Sequence, residues 1–248
     1  MNADVIINSS TQRKNVKLTA KLSAVFLALF ASFSFGQQRT VAFTFDDGPN
    51  LAFLAKALPY LESEKIPATF FVIGSVAKSH SEILAIESKQ GNEIENHTYG
   101  HVCLVKPGPK WTGCMDISLA RALSEITRTN QIIKKATGLS PHFVRPPYFA
   151  MTAERRRDIR KFTGMEVIEH GSDSIGSLDW VYSSPEKITA QVETEARKRG
   201  MKSYVVVFHE RLITLEALPR IISFFRGAGY RFVRLDEYES AKNGKGKR

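Results

Sequence analysis

Nowhere do these 248 residues contain the run of about twenty apolar positions that a membrane-spanning helix needs. Cysteine is scarce too, with only Cys103 and Cys114 and no Cys-x-x-Cys, so a thiolate metal cluster is excluded. In an oxidising compartment the two would close the loop between them as a disulfide; otherwise they are unpaired thiols. The Gly-x-Gly-x-x-Gly fingerprint is missing, which argues against a nicotinamide enzyme. There is no internal repeat and no linker. With only six histidines in the chain, any two at short spacing carry information.

The first segment stands apart from the rest. Arg13, Lys14, Lys17 and Lys21 precede an apolar stretch from Leu22 to Phe35, and Ser34-Phe35-Gly36 ends it with small residues. This pattern predicts an export signal over 1–36, cut near Gly36, and an exported protein, periplasmic or secreted. The alternative is an uncleaved anchor, for which the stretch is short. Removing 1–36 leaves 31 basic and 24 acidic residues, a net +7. Part of that charge lies in Arg155-Arg156-Arg157 with Arg160-Lys161, and part in a basic tail, 242–248, expected to be disordered. Solvated faces account for such runs; attraction to an anionic polymer such as cell wall is the sharper reading. Nucleic acid does not suit an exported chain, and contact with a membrane is expected only through the signal. A monomer is expected.

From residue 37 to 241 short apolar runs alternate with helical periodicity. Arg39–Phe43, Ala68–Gly74, Glu93–Asn96, His142–Arg145, Glu166–Glu169, Ser203–Phe208 and Tyr230–Leu235 read as strands. Helices are predicted over 76–90, 117–136, 152–162, 184–199 and 215–226, several closed by glycine. About seven β-α units predict an α/β fold, a parallel sheet closed or nearly closed into a barrel, with an open doubly wound sheet as the alternative. Chemistry in such folds sits at the C-terminal strand ends.

At the first of those ends stands Thr44-Phe45-Asp46-Asp47-Gly48-Pro49. Alone, it could be an Asp-Gly turn with a helix cap. After a later strand, His97-Thr98-Tyr99-Gly100-His101 spaces two imidazoles four apart, as on one face of a helical turn, where both could reach one ion. A carboxylate from the first strand end would complete a two-His-one-carboxylate set with open positions. Two unrelated surface histidines are the bland reading.

These two segments, with Arg145-Pro146-Pro147-Tyr148, Asp179-Trp180 and Val207-Phe208-His209, follow the order of the polysaccharide deacetylases, the carbohydrate esterases with a NodB-type domain. The chain resembles that family over roughly 39–237. The resemblance implies a distorted (β/α) barrel and a Zn²⁺- or Co²⁺-dependent deacetylase; export and basic charge point to peptidoglycan N-acetylglucosamine or a chitin-like polymer as its substrate. It implies Asp47, His97 and His101 as metal ligands, Asp46 as general base and His209 as general acid. Arg145 would pair with Asp46 and keep it ionised, and the Tyr148 N–H would help hold the oxyanion. Asp179 would orient His209, while Trp180 and Val207 would wall the acetyl pocket.

The sequence departs from the family pattern in places. Gly176 replaces the first Asp of Asp-x-x-Asp-Trp, leaving Asp173 as another candidate partner for His209. Phe149 replaces the usual Gly after Tyr148, Val207 a Leu, and Glu210 a common Asp. The 102–114 loop is expected to shape one wall of the substrate groove. Rival readings are a non-haem Fe(II) oxygenase, which would not need Asp46 or His209, an inactive carbohydrate-binding relative, a hydrolase of other C–N bonds, and O-deacetylation of xylan.

Overall fold

The computed structural model describes residues 38–105, 114 and 117–243. The expected export signal, most of the 102–114 loop and all but the start of the basic tail lie outside the described residues. The described residues from Arg39 onward form one compact unit.

Its axis is strand β1, Thr40–Gly48. Strand β2 is Ala68–Val72, β3 Glu93–Asn96, β4 Phe143–Val144, β5 Glu166–Val167, β6 Ser174–Gly176, β7 Ser203–His209 and β8 Arg231–Val233. All pairings are parallel, in the order β5-β4-β3-β2-β1-β7-β6. Strand β1 is shared on one side: β8 pairs its first half and β2 its second. Among the described residues β5 and β6 do not pair, so the sheet curls into an open half-barrel.

Alternation along β1 divides the core. Val41, Phe43 and Phe45 face outward to the helices, α1 (Leu51–Ser63), α6 (Pro185–Arg199) and α7 (Leu212–Gly227) among them. Phe45 is stacked between Phe70 and Phe208, with ring centroids 5.2 and 5.4 Å away. Ala42 faces inward with Phe71, Phe143 and Val205. Helix α8, Leu235–Lys242, plugs the floor with Leu235 and Tyr238. Residues two apart share a face, so Ala42, Thr44 and Asp46 climb the inside of the half-barrel toward its open end.

Four details differ from the sequence reading. The helix expected over 76–90 is two, α2 (Gly74–Ser79) and α3 (Ser81–Lys89), broken at His80. Strand β6 was not foreseen because Ser174-Ile175-Gly176 holds a single large apolar residue, too little to read as an apolar run. Helix α8 was missed because only Leu235 and Tyr238 of its residues are buried, too few to set a period. It takes in Lys242, whose Nζ lies 2.7 Å from Asp173. The remaining helices, α4 (Leu119–Thr137) and α5 (Ala153–Thr163), lie within two residues of expectation.

Candidate metal centre and active site

The register between β1 and β2 slips at Asp47: Asp46 pairs with Phe71, and Gly48 with Val72. Asp47 takes φ 70°, a left-handed value that Asp tolerates better than most residues. The slip breaks the alternation, so two adjacent carboxylates do not point to opposite faces of the sheet. Asp46 stays buried inside, and Asp47 leans out to the rim.

The histidines come from the loop after β3. They share no helix face, contrary to the four-residue spacing argument. Thr98 at φ 65° and His101 at φ 52° bend the loop back on itself. Asn96 Oδ1 accepts the Thr98 N–H at 2.7 Å, and Glu125 of α4 accepts the Gly100 N–H at 2.7 Å. Asp47 Oδ1 then lies 3.3 Å from His97 Nε2 and 3.1 Å from His101 Nε2. His97 Nδ1 must donate to the Arg145 carbonyl, 2.8 Å away, because a carbonyl can only accept. That leaves Nε2 as the ring nitrogen that faces the carboxylate. His101 Nδ1 has the Tyr148 hydroxyl 3.3 Å away. Burial alone would raise the Asp47 pKa, but hydrogen bonds to His101 and His97 outweigh it and hold the carboxyl well below its ordinary value. Two nitrogens 3.3 and 3.1 Å from one carboxylate oxygen, with all three donor atoms within 4.8 Å of one another, are spaced as donors on one ion with bonds of about 2.1 Å. The residues fit a divalent metal.

Asp46 takes no part in that cluster. Its Oδ1 is 2.7 Å from Arg145 Nη1, and both side chains are buried. Arg145 lies over the Phe71 ring at 4.0 Å and also donates to Thr44 Oγ1 at 2.8 Å. Burial pulls the guanidinium pKa down, and Asp46 opposes the fall.

On the neighbouring strand His209 sits in register with Asp46. Its Nδ1 donates to Asp179 Oδ1 at 2.7 Å, which leaves Nε2 for the cavity. Burial lowers the imidazole pKa, but the bond to Asp179 and the charges of Asp179, Asp46 and Asp47 raise it further, so the net shift is upward. Asp173 is elsewhere: Tyr238 and Lys242 both donate to it at the barrel floor.

Asp46, Asp47 and the three histidines line one cavity of about 720 Å³. Tyr148 and Trp180 stand exposed at its rim, and Val207 forms part of its wall. Every sequence-predicted site residue except Arg145 and Asp179 lines the cavity, and those two hold residues that do. His170, Leu178 and Arg211 also line it, and sequence reasoning missed them. None belongs to a spaced pattern, so no signal marked them. Of the seven non-glycine residues with positive φ among the described residues, all but Lys65 lie in the segments that build this site: Asp47, Thr98, His101, Tyr148, Phe149 and Leu178. Such backbone gathers at functional sites because only surrounding structure sustains it.

The family model for polysaccharide deacetylase matches residues 36–168. The chain is 31% identical over 205 residues to the peptidoglycan-N-acetylmuramic acid deacetylase PdaC of Bacillus subtilis, covering 83% of this chain and 40% of that protein. A solved structure of that deacetylase superposes with a TM-score of 0.69 at 30% identity, over 84% of this chain and 94% of that one. A family 4 acetyl xylan esterase from Clostridium thermocellum, solved with a cobalt ion, gives 0.69 at 26% identity, over 83% and 92%. The chain spans less than half the length of the full PdaC protein. It belongs to the polysaccharide deacetylase family.

Proposed function

We propose that this protein is a metal-dependent hydrolase that removes acetyl groups from N-acetylated sugars of an extracytoplasmic polysaccharide, with peptidoglycan N-acetylglucosamine first and chitin-like polymers next. One observation carries the proposal. A buried carboxylate, Asp46, is held by Arg145 outside a three-donor cluster and in register with a histidine that is itself held by a carboxylate.

A divalent ion held by Asp47, His97 and His101, Zn²⁺ first and Co²⁺ second, would acidify a water and polarise the acetyl oxygen. Asp46 takes the proton from the attacking water, held in place by Arg145. His209 passes a proton from Nε2 to the leaving amine, and Asp179 keeps that ring oriented and charged. The N–H of Tyr148, on a turn with φ 58°, would add a donor for the oxyanion. Val207 and Trp180 give the acetyl methyl an apolar wall.

The relatives' names support a cell-wall substrate. The Cys103–Cys114 disulfide supports an oxidising compartment, in keeping with the export signal expected over 1–36. Among the described residues no helix is long and apolar enough to cross a membrane. A second reading, de-esterification of O-acetyl xylan, draws on the fold match to the acetyl xylan esterase. An inactive binding protein would have no need of Asp46, His209 and their buried partners together. The test is acetate release from peptidoglycan, chitin oligomers and acetyl xylan side by side, with and without chelator. Chelator-sensitive release from the first two is expected. Release from xylan alone, or release indifferent to chelator, overturns the proposal.

A further inference from the structure

Two departures from the family pattern, Phe149 and Gly176, meet at one side chain, His170. The His170 ring packs edge-on to Phe149 with centroids 5.4 Å apart. A Cβ built on Gly176 would lie 3.6 Å from His170 Nε2 and within 4 Å of nothing else. All three residues line the catalytic cavity. A carboxylate at position 176 would therefore stand against the imidazole; with glycine there, the ring stays free. Among the described residues the His170 imidazole makes no hydrogen bond to another residue, and it is exposed to the cavity. It is also no part of the cluster around Asp47. Burial, then the charges of Arg199 and Arg145, hold its pKa below the ordinary histidine value, with Asp173 opposing them. A neutral imidazole offers one donor and one acceptor, as a sugar hydroxyl does.

We propose that His170 is a substrate-positioning residue, whose free imidazole exchanges a hydrogen bond with a ring hydroxyl of the sugar seated in the cavity, in the space that Gly176 leaves. The proposal rests on reading the cavity as a glycan site. Phe149 fixes the plane of the ring. The role concerns binding, because among the described residues the imidazole makes no hydrogen bond to the base, the acid or a metal ligand and is no member of the Asp47 cluster.

The experiment is steady-state deacetylation of a four-unit N-acetylglucosamine oligomer. His170→Ala is expected to raise KM roughly fivefold to tenfold, the effect of one lost neutral hydrogen bond, with kcat held within about twofold. His170→Gln, which keeps a donor and an acceptor near Nε2, is expected to recover most of the loss. Gly176→Asp, which would capture Nε2, is expected to raise KM as His170→Ala does. An unchanged KM, or a fall in kcat at constant KM, overturns the proposal. If the wild-type protein releases no acetate with any divalent metal, the deacetylase reading fails by itself. Calorimetric binding of the same oligomer then decides for His170: a matching loss of affinity in His170→Ala supports the role, and equal affinity or no binding overturns it.

Discussion

Asp179 holds His209 by two bonds at once: Oδ1 accepts from the ring Nδ1 at 2.7 Å, and Oδ2 accepts from the backbone N–H of His209 at 2.7 Å. Thr214 donates to the same Oδ2 at 2.6 Å, and Asp179 is fully buried. The carboxylate thus sets both the strand end and the ring that grows from it.

The arrangement sets the pH profile. The His209 pKa lies above its unfolded value, so the charged imidazolium persists above the ordinary histidine range. Activity that needs the acid form is lost as pH rises through that raised pKa. Asp179→Asn keeps the shape and removes the charge. It is expected to move the alkaline limb of kcat to lower pH and to cut kcat at pH 7 on the order of a hundredfold. The sign for stability is the same. The pair's contribution is full below the unfolded histidine pKa and is lost as pH rises through the folded one. Melting temperature against pH, wild type beside Asp179→Asn, checks it, and parallel curves would refute it.

Asp46→Asn separates the proposed base from the proposed metal ligands. Asp46 bonds Arg145 and lies outside the Asp47–His97–His101 cluster, so the variant is expected to bind one equivalent of zinc with wild-type affinity. Its turnover should fall on the order of 10²- to 10⁴-fold. It also leaves a buried guanidinium without a counter-charge, which should cost about 3–5 kcal/mol of stability by denaturant titration. His97→Ala should instead lose the zinc. Zinc in the medium should raise the melting temperature of wild type and Asp46→Asn alike, and leave His97→Ala unmoved.

The sequence made the site's composition legible and left its geometry hidden. Chemistry restricts which residues can serve, so Asp46, Asp47, His97 and His101 stand out by type and spacing, and His209 by the order of motifs that resembles the family. How they meet depends on backbone that residue type does not reveal. Asp47 leaves its strand by a register slip, and His101 closes on it through a left-handed loop rather than a helix face. Phe149 occupies φ 51°, where the family's usual Gly costs nothing, and only the folded chain shows that a bulky residue tolerates it. The choice between Asp173 and Asp179 was open for a like reason. The partner that claims Asp173, Lys242, comes from a helix too weakly patterned to read.

Glu87 on α3 is fully buried, and neither carboxyl oxygen has a partner among the described residues. Burial pushes its pKa up to about 8. The folded state therefore binds a proton that the unfolded state releases near 4.5. Stability from this group is intact below about 4.5 and drains away as pH climbs to about 8. Glu87→Gln should abolish that slope. It is expected to match wild type near pH 5 and to melt higher at pH 8. The check is a pair of thermal denaturation series across that range, and an unchanged alkaline slope would show that the carboxyl is solvated after all.

Gly48 and Glu210 form the tightest fit in the catalytic loops. A Cβ on Gly48 would lie 1.8 Å from Glu210 Oε1, while Oε2 of the same carboxyl accepts the Asn50 N–H at 2.6 Å. Asn50 returns the contact by donating from Nδ2 to the Glu210 carbonyl at 3.1 Å, and its Oδ1 caps α1. Glu210 thus clamps the turn that follows Asp46 and Asp47, and only glycine leaves it room. Gly48→Ala must push the carboxyl away, leaving the Asn50 N–H unmet. The expected cost is about 1–3 kcal/mol, with lower kcat and weaker metal binding because Asp47 is the neighbour that moves. Glu210→Ala should lose the clamp but tolerate Ala at 48. Gly48→Ala is therefore expected to cost much less in the Glu210→Ala background than alone. A double-mutant cycle on stability measures the difference. Additive effects would mean that the strain at Gly48 comes from some other contact.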